Sequence, residues 1–385
     1  MSKIDKLLKN EKVEWKKLSE VAAITQGKQF NKRDMSEGGK YPVINGGVLP
    51  SGYAHIYNCD ENTITVAQGG SAGFVSFIEQ KFWLGAHAYS VVPSKIILEK
   101  YNYNFNTFNR LLFHTLKNSQ YYLESKKVGV GLQSITKDIL GNIQIPLVCK
   151  NTQEKIVKIL DNFTNYVTEL QAELQARVKQ YEYYRDLLLS EAYLNKLNLE
   201  EGGSRIEFKS LKSLLDYLQP TKYIVESSDY NPNYKTPVLT AGKSFILGYT
   251  NDETNIYPAD SNHPVIIFDD FTASNHWVDF NFKVKSSALK ILTAKPGVNL
   301  KYCYYFINTL KIDITEHRRL WISELSNIKI PLPSKEIQAK IVEILDKLNL
   351  MQTETKGLLP KEIKQRQQQY KYYRTELFAF DTMGG

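Results

Sequence analysis

LGNIQIPLVCKNTQEKIVKILD at residues 140–161 and LSNIKIPLPSKEIQAKIVEILD at residues 325–346 are two copies of one segment. Fourteen of the 22 positions are identical at a constant offset of 185. QYEYYRDLLL from Gln180 and QYKYYRTELF from Gln369 match again, now at an offset of 189. A period of about 190 residues is far longer than a solenoid unit, so each copy is large enough to be a domain. The chain is therefore two similar halves, each ending in its own helical tail, and a pseudo-twofold molecule is expected.

The tails carry a helical stripe. In the first, apolar positions fall at Ile156, Leu160, Phe163, Val167, Leu170 and Leu174, then at Tyr181, Tyr184 and Leu188. Spacings of four and three sustained over more than four heptads describe a coiled-coil seam. Asn151 or Thr152 is placed to cap it, with Glu154 following. About 39 residues at 1.5 Å each make a rod of about 58 Å, whose stripe needs a partner. The second tail supplies one through Ile341, Leu345 and Leu348, and then Ile363, Tyr370, Tyr373 and Leu377. Between them stands KGLLPKE, where Gly357 can end one helix and Pro360 can begin the next. The four extra residues of this copy, 189 minus 185, amount to one turn, and a break or stutter would restore register. Arg177 and Arg366 interrupt both seams at equivalent places. Either they set register or they point outward while neighbours such as Val178 fill the seam.

Each tail follows a β-rich region. ITVAQGGSAGFVSF and FWLGAHAYSVVP in the first half are β-prone runs separated by glycine turns, and PVIIFDDFTASNHWVDF and FKVKSSALKIL in the second read alike. The fronts also correspond: EWKKLSEV from Glu14 with EFKSLKSL from Glu207, and YPVINGG from Tyr41 with TPVLTAG from Thr236. EEGGS at 200–204 links the halves, and the middles of the β-rich regions share pattern but little identity. The expected fold is α+β, with two β-rich domains separated by two long antiparallel coiled-coil helices. The boundaries fall at 1–149, 150–200, 201–333 and 334–385.

Composition sets the class. With 42% hydrophobic and 23% charged residues the chain is ordinary globular protein, long enough for two or three cores. No run approaches 18 apolar residues, and MSKIDKLLKNEKVEW lacks the apolar core of a signal peptide, so no membrane association and a cytoplasmic location are expected. Cys59, Cys149 and Cys303 are odd in number and widely spaced, which indicates neither a disulfide framework nor a zinc site. A net charge of +8 makes a polyanion a natural partner.

The order of β-rich region, IPL-x-x-K…Q-x-K-I-V-x-I-L-D helix and QY-x-YYR tail, then the same again, resembles the specificity subunit of type I restriction-modification systems. GVGLQSIT from Gly129 and HRRLWIS from His317 are similar to the closing segments of that family's target-recognition domains. The resemblance spans nearly the whole chain. It implies that each β-rich region is a target-recognition domain for one half of a bipartite, asymmetric site in double-stranded DNA. It implies two helices packed antiparallel as a spacer, docking two modification subunits and, through these, restriction subunits. By the same resemblance S-adenosylmethionine, ATP and Mg belong to the partners, and this chain holds no cofactor and no metal.

The residues themselves offer little catalytic chemistry. Asn231-Pro232-Asn233-Tyr234 departs from a methyltransferase Asn-Pro-Pro-aromatic stretch at its third position and reads as a turn. Ala241-Gly242-Lys243-Ser244 has the ending of a phosphate-binding loop, but the first glycine would fall at Pro237. Asp269-Asp270 are adjacent and would point to opposite faces of a strand, so a solvated turn pair is expected rather than a metal site. The six histidines lack zinc spacing. Gly69-Gly70-Ser71-Ala72-Gly73 reads as a loose turn between strands. Trp277 and Trp321 read as packing residues, and the tyrosine clusters of the tails as helix contacts rather than base-stacking platforms.

Reading DNA requires Arg or Lys for guanine, Asn or Gln for adenine, and cations for phosphate. Gln26-Gly27-Lys28-Gln29-Phe30-Asn31-Lys32-Arg33 concentrates both kinds in one expected loop, with Lys28, Gln29, Asn31, Lys32 and Arg33 as candidates. Lys126, Lys127, Gln133 and Ser134 form a second cluster, and Lys222, Lys243, Ser244, Arg318 and Arg319 are the candidates of the second half. Two other functions remain open from sequence: a self-contained DNA methyltransferase or nuclease, and a structural scaffold that binds proteins.

Overall fold

The computed structural model describes residues 7–8, 11–129, 133–240, 244–312 and 319–380. The chain forms two compact units, one of residues 1–172 and 359–385, the other of residues 173–358.

The first unit contains β1 (Glu14–Lys17), α1 (Leu18–Val21), β2 (Ala22–Gln26), β3 (Tyr41–Ile44), β4 (Tyr53–Ala54), β5 (Thr63–Ala67), β6 (Val75–Ile78), β7 (Trp83–Leu84) and β8 (Ala88–Pro93). Then come α2 (Lys95–Tyr101), α3 (Phe105–Asn118), α4 (Gln120–Ser125), α5 (Lys137–Gly141), β9 (Gln144–Leu147) and the long α6 (Lys150–Leu188), which continues into the second unit. A four-stranded antiparallel sheet has the order β2-β8-β5-β6, a smaller one the order β4-β3-β7, and β1 pairs with β9. The β1–β9 pair makes the IPL segment of the repeat a strand, closing the domain just before the long helix begins.

The second unit repeats this plan. It holds α7 (Glu191–Glu200), β10 (Glu207–Ser210), α8 (Leu211–Leu214), β11 (Leu215–Leu218), β12 (Thr236–Leu239), β13 (Ile246–Thr250), β14 (Val265–Asp269), β15 (Asn275–Val278), β16 (Lys283–Val284) and β17 (Leu289–Ala294). After these come α9 (Leu300–Ile307), α10 (Leu320–Ser323), β18 (Lys329–Leu332) and α11 (Lys335–Leu377), whose last part belongs to the first unit. Its sheets run β11-β17-β14-β15 and β13-β12-β16, with β10 paired to β18. Strand for strand, these are the orders of the first unit. The repeat is thus complete at the level of topology even where residue identity fades.

Strand periodicity explains the central strand. Successive side chains of a strand face opposite ways. Ile266 and Phe268 of β14 join one core with Tyr302 and Leu292, whereas Val265 and Ile267 join another with Leu239, Phe282 and Val284. A strand buried on both faces reads as a near-continuous apolar run, hence VIIF here; β5, TITVA, buries two threonines as well, and the Thr63 hydroxyl donates to the Asp60 carbonyl at 2.9 Å.

The helices follow the seam with three corrections. In α6 the inward positions include Val178, not Arg177, which is exposed and pairs with Glu173 at 3.4 Å. Tyr184 is 40% exposed rather than in the seam; Arg185 takes its place, with its guanidinium 5.9 Å from the Tyr181 ring. The step from Leu174 to Val178 to Tyr181 contains an extra four-residue interval, so the outward rotation of the arginine is a stutter. Arg366 behaves differently: half-buried, it lies 5.0 Å from the ring of Tyr166.

Nor do Asn151 and Thr152 cap α6: both lie inside it. The Thr152 hydroxyl donates to Glu11 at 2.7 Å, and the same carboxylate accepts the Cys149 N–H at 2.7 Å. The third correction concerns α11, which runs unbroken through Gly357 and Pro360. Inward positions continue at Gln352, Thr355, Leu359 and Ile363, while Gly357 and Pro360 are exposed. Continuous packing of that stripe outweighs the hydrogen bond that proline cannot make, about 3 kcal/mol in a helix interior. The four-residue excess appears as length: 43 residues against 39, one added turn.

Within the first unit the two helices run antiparallel. Phe163 stacks on Tyr373 at 5.0 Å, and Tyr166, further along α6, meets Glu362 at 3.3 Å, further back along α11. Ile156, Leu160, Leu377, Phe378 and Phe380 enter one core with Leu112 and Leu116 of α3. In the second unit Leu188 lies in a core with Ile337, Ile341 and Leu345, with Leu348 against it. No described helix is long and apolar enough to cross a membrane.

Candidate nucleic-acid interface

Alternation of strand direction gathers the loops. In β2-β8-β5-β6 the ends of β2 and β5 and the beginnings of β8 and β6 lie at the same edge, so segments 27–40, 68–74 and 85–87 emerge together. Polar side chains tie them. The Gln26 amide donates to Gln68 Oε1 at 3.0 Å and to the Ala86 carbonyl at 2.8 Å. Trp83 Nε1 donates to the Lys28 carbonyl at 3.2 Å, and the Phe30 ring leans on Trp83 at 4.8 Å. These contacts hold the base of segment 28–33 and leave its donors outside. Lys28, Gln29, Asn31, Lys32 and Arg33 are all exposed, and Lys32-Arg33-Asp34 forms a 3-10 turn.

The second cluster reaches the same edge. The Ile135 N–H donates to the Gln68 carbonyl at 2.9 Å, and Val128 and Ser134 exchange backbone hydrogen bonds of 2.8 and 3.0 Å. Lys126 and Gln133 are exposed, Lys127 and Ser134 half-buried. Lys126 lies 5.4 Å from the Tyr122 ring. Seven exposed donors from two segments distant in sequence thus share one end of one sheet.

The second unit uses the same device with different chemistry. Gln219, at the position of Gln26, donates its amide to the Ser287 carbonyl as Gln26 does to Ala86. The Leu320 N–H donates to the Asp270 carbonyl at 2.8 Å, as Ile135 does to Gln68. Beneath, Lys290 binds Gln219 Oε1 and stands 3.4 Å from Asp270. Lys222, three residues after Gln219, and Arg319, beside Leu320, are exposed, as is Ser244; Lys243 and Arg318 lie outside the described residues.

The expectation that Asp269 and Asp270 form a solvated turn pair is overturned. They are 2% and 1% exposed. Asp269 accepts from the Phe271 N–H at 2.9 Å and the Thr272 hydroxyl at 2.6 Å, while Asp270 accepts from the Trp321 N–H at 2.8 Å. Fully buried carboxylates must be paired, and these are, as clamps for the turn and for α10. Asn231–Tyr234 does form a turn, closed by Tyr234 N–H to Asn231 O at 3.0 Å. Trp321 is buried and Trp277 packs half-buried against the same core. Among the described residues no group of three or more His, Cys, Asp or Glu is placed to hold a metal ion.

A second repeated constellation fixes each β-rich domain to its long helix. Asp161, the last residue of the repeated segment, accepts from Arg110 Nη2 at 2.5 Å and from His114 Nε2 at 2.7 Å; His114 Nδ1 meets the Tyr370 hydroxyl at 2.8 Å. Burial lowers the His114 pKa to about 4, so the ring is neutral. A carboxylate only accepts, so Nε2 carries the proton and Nδ1 accepts from Tyr370. Burial raises the Asp161 pKa, but the hydrogen bonds from His114 and Arg110 outweigh it and hold the carboxyl below its ordinary range. In the second unit Asp346 accepts from Lys301 at 2.8 Å and from the Tyr305 hydroxyl at 2.5 Å. Sequence reasoning missed these anchors, although both aspartates close the repeated ILD; their partners on α3 and α9 share no identity to reveal them.

Comparison with known proteins agrees with this architecture. The family model for the type I restriction modification DNA specificity domain matches residues 10–180 and again 204–365. A putative type I restriction enzyme specificity subunit of Haemophilus influenzae is 30% identical over 98% of both chains. The EcoR124I/EcoR124II specificity subunit of Escherichia coli is 48% identical over 200 residues, a match that spans about half of each chain (49% and 48%). The crystal structure of a type I restriction-modification S subunit from M. genitalium shares the fold, with a TM-score of 0.62 over 98% of this chain and 99% of that one, at 21% identity. The chain belongs to the type I restriction modification DNA specificity domain family. It carries two such domains, one per half.

Proposed function

We propose that the chain selects a bipartite, asymmetric site in double-stranded DNA, each β-rich domain reading one half. Residues 1–149 and 201–333 are the two readers, and the tails 150–200 and 334–385 are the spacer and the docking surface for partners. The observation that carries this reading is the pair of matching sheet frames whose loop-bearing ends differ: Gln68 and Tyr89 in one correspond to Asp270 and Lys290 in the other. A frame held constant in topology while the residues beneath its loop-bearing end diverge is suited to carrying loops that read two different sequences. Cations beside amide donors supply both phosphate positioning and base discrimination.

The chain supplies selection, and chemistry belongs to its partners: two modification subunits with S-adenosylmethionine, and restriction subunits with ATP and Mg, all in the cytoplasm with the DNA. Exposed Tyr183 and Tyr372, at equivalent positions of the two tails, favour one modification subunit per repeat. Each stands edge-on to its neighbour at 5.4 Å, so the same surface is offered twice.

Genome-wide detection of methylated bases, in cells with and without this chain and with the neighbouring modification subunit present, tests the reading. Loss of one bipartite, asymmetric motif is expected. Methylation that is unchanged would refute it and favour a protein-binding scaffold.

A further inference from the structure

The connection between β3 and β4, residues 45–52, reads NGGVLPSG, and its tip is apolar and outward: Val48 is 57% and Leu49 78% exposed. Single exposed apolar residues are common and need no explanation. This tip differs because it is built into the end of the domain that carries the candidate donors. The Ser71 N–H donates to the Gly46 carbonyl at 2.7 Å, the Gly85 N–H to the Ile44 carbonyl at 2.8 Å, and the His87 N–H to Asn45 Oδ1 at 2.9 Å. Segments 68–74 and 85–87, the two connections that flank the donor loop, therefore hold the tip. Close approach requires glycine: Gly70 has a φ of 64°, and a Cβ there would lie 2.7 Å from the Gly46 carbonyl oxygen. Behind the tip lies an open cleft of about 150 Å³, walled by Val48, Leu49, Pro50, Ala67 and Phe74 among others.

We infer that this tip and cleft take the 5-methyl group of a thymine in the half-site read by the first domain, an inference that rests on the DNA-reading role proposed above. The methyl is the one apolar feature of the major-groove edge, and an aliphatic neighbour is what distinguishes it. Lys28, Lys32 and Arg33 at the same sheet end supply the charge that brings a duplex there, which makes DNA rather than an apolar protein surface the occupant. The second domain departs at this point. In sequence, the corresponding connection between β12 and β13 reads TAGKSF at 240–245, which aligns Lys243 and Ser244 with Val48 and Leu49. The aliphatic Val-Leu pair belongs to the first domain's sequence, so the tip adds to the asymmetry of the site.

The test uses the full chain assembled with its modification subunits, on duplexes of the motif found by methylation mapping. Each thymine of the two half-sites is replaced in turn by uracil, which removes the methyl group and nothing else. One replacement in the first domain's half-site is expected to weaken binding about fourfold, the factor that burying one methyl group commands. Leu49→Asn should bind thymine and uracil duplexes alike there, with the other half-site unchanged. Equal binding of every uracil duplex by the unaltered protein overturns the inference, as does discrimination that persists in the variant. Absence of any preferred sequence would instead refute the specificity reading on which it rests.

Discussion

Lys290 Nζ lies 3.4 Å from Asp270 Oδ2 with both side chains almost wholly buried, in the place where the first domain puts Tyr89 and Gln68. A buried ion pair is a weak source of net stability, but breaking it leaves an uncompensated charge. Lys290→Met should therefore destabilise the second unit by about 3–5 kcal/mol. The double variant Lys290→Tyr with Asp270→Gln installs the first domain's neutral pair and should recover most of that loss. Chemical denaturation of the three proteins measures both steps. A double variant no better than Lys290→Met would mean that the two frames are not interchangeable beneath their loops.

His114 gives the Asp161 anchor of the first unit a pH sensitivity that the Asp346 anchor of the second lacks, because Tyr305 occupies the corresponding position. Its pKa falls from 6.5 to about 4 on folding, so between these values the unfolded chain binds the proton and the folded chain does not. The stability contributed by the neutral ring is present above pH 6.5 and is lost as pH falls toward 4. The span of the shift corresponds to about 3 kcal/mol. Melting of the protein followed from pH 7.5 to 4.5 should show this loss, and His114→Gln should flatten it. An unchanged pH profile in that variant would assign the acid sensitivity elsewhere.

Gly357 sits in the interior of α11 with open space around the place a Cβ would occupy. Gly357→Ala should therefore stabilise the helix by about 0.5–1 kcal/mol, since only the backbone entropy of glycine is removed. Pro360 is exposed on the same helix, and Pro360→Ala restores a missing backbone donor there. Thermal melts of the two variants should both shift upward. A downward shift for Pro360→Ala would show that the interruption is needed by the folded chain.

The halves, the helical tails and the core tryptophan were legible because each leaves a periodic or repeated trace in local sequence. Ile156 to Leu174 fixed the seam in this way, and YPVINGG against TPVLTAG aligned β3 with β12. Three other features leave no such trace. Burial of Asp270 depends on Lys290 and Trp321, about 20 and 50 positions away, which arrive through the sheet and through α10. Pro360 reads as a helix start because the rule concerns isolated helices, whereas the stripe at Leu359 and Ile363 decides its state here. The seam position of Arg185 depends on the stutter at Val178, because a heptad count carried on from Leu174 places Tyr184 there instead.

The donors of segment 28–33 should divide into two kinds. Lys32 and Arg33 lie in the 3-10 turn with their charges in solvent, and Arg33 stands 3.8 Å from Asp34, too far for a firm pair. Such cations suit phosphates, and removing one cation from its phosphate lowers the slope of log affinity against log salt by about 0.9. Lys32→Ala and Arg33→Ala in the assembled complex should thus weaken binding to every duplex alike and flatten its salt dependence. Gln29 and Asn31 are amides that can meet adenine with two hydrogen bonds, worth about 1–3 kcal/mol of discrimination each. Asn31 is held for this by its hydrogen bond to Asp34 at 3.2 Å, which orients the amide without occupying its carbonyl oxygen. Gln29→Ala and Asn31→Ala should leave the salt slope intact and make one position of the methylated motif degenerate, in the first domain's half-site only. Methylation mapping beside salt-titrated binding separates the classes. A relaxed motif from Arg33→Ala, or a flattened salt slope from Asn31→Ala, would reverse the assignment, because a charge that reads a base edge fails on sequence and an amide that holds a phosphate does not.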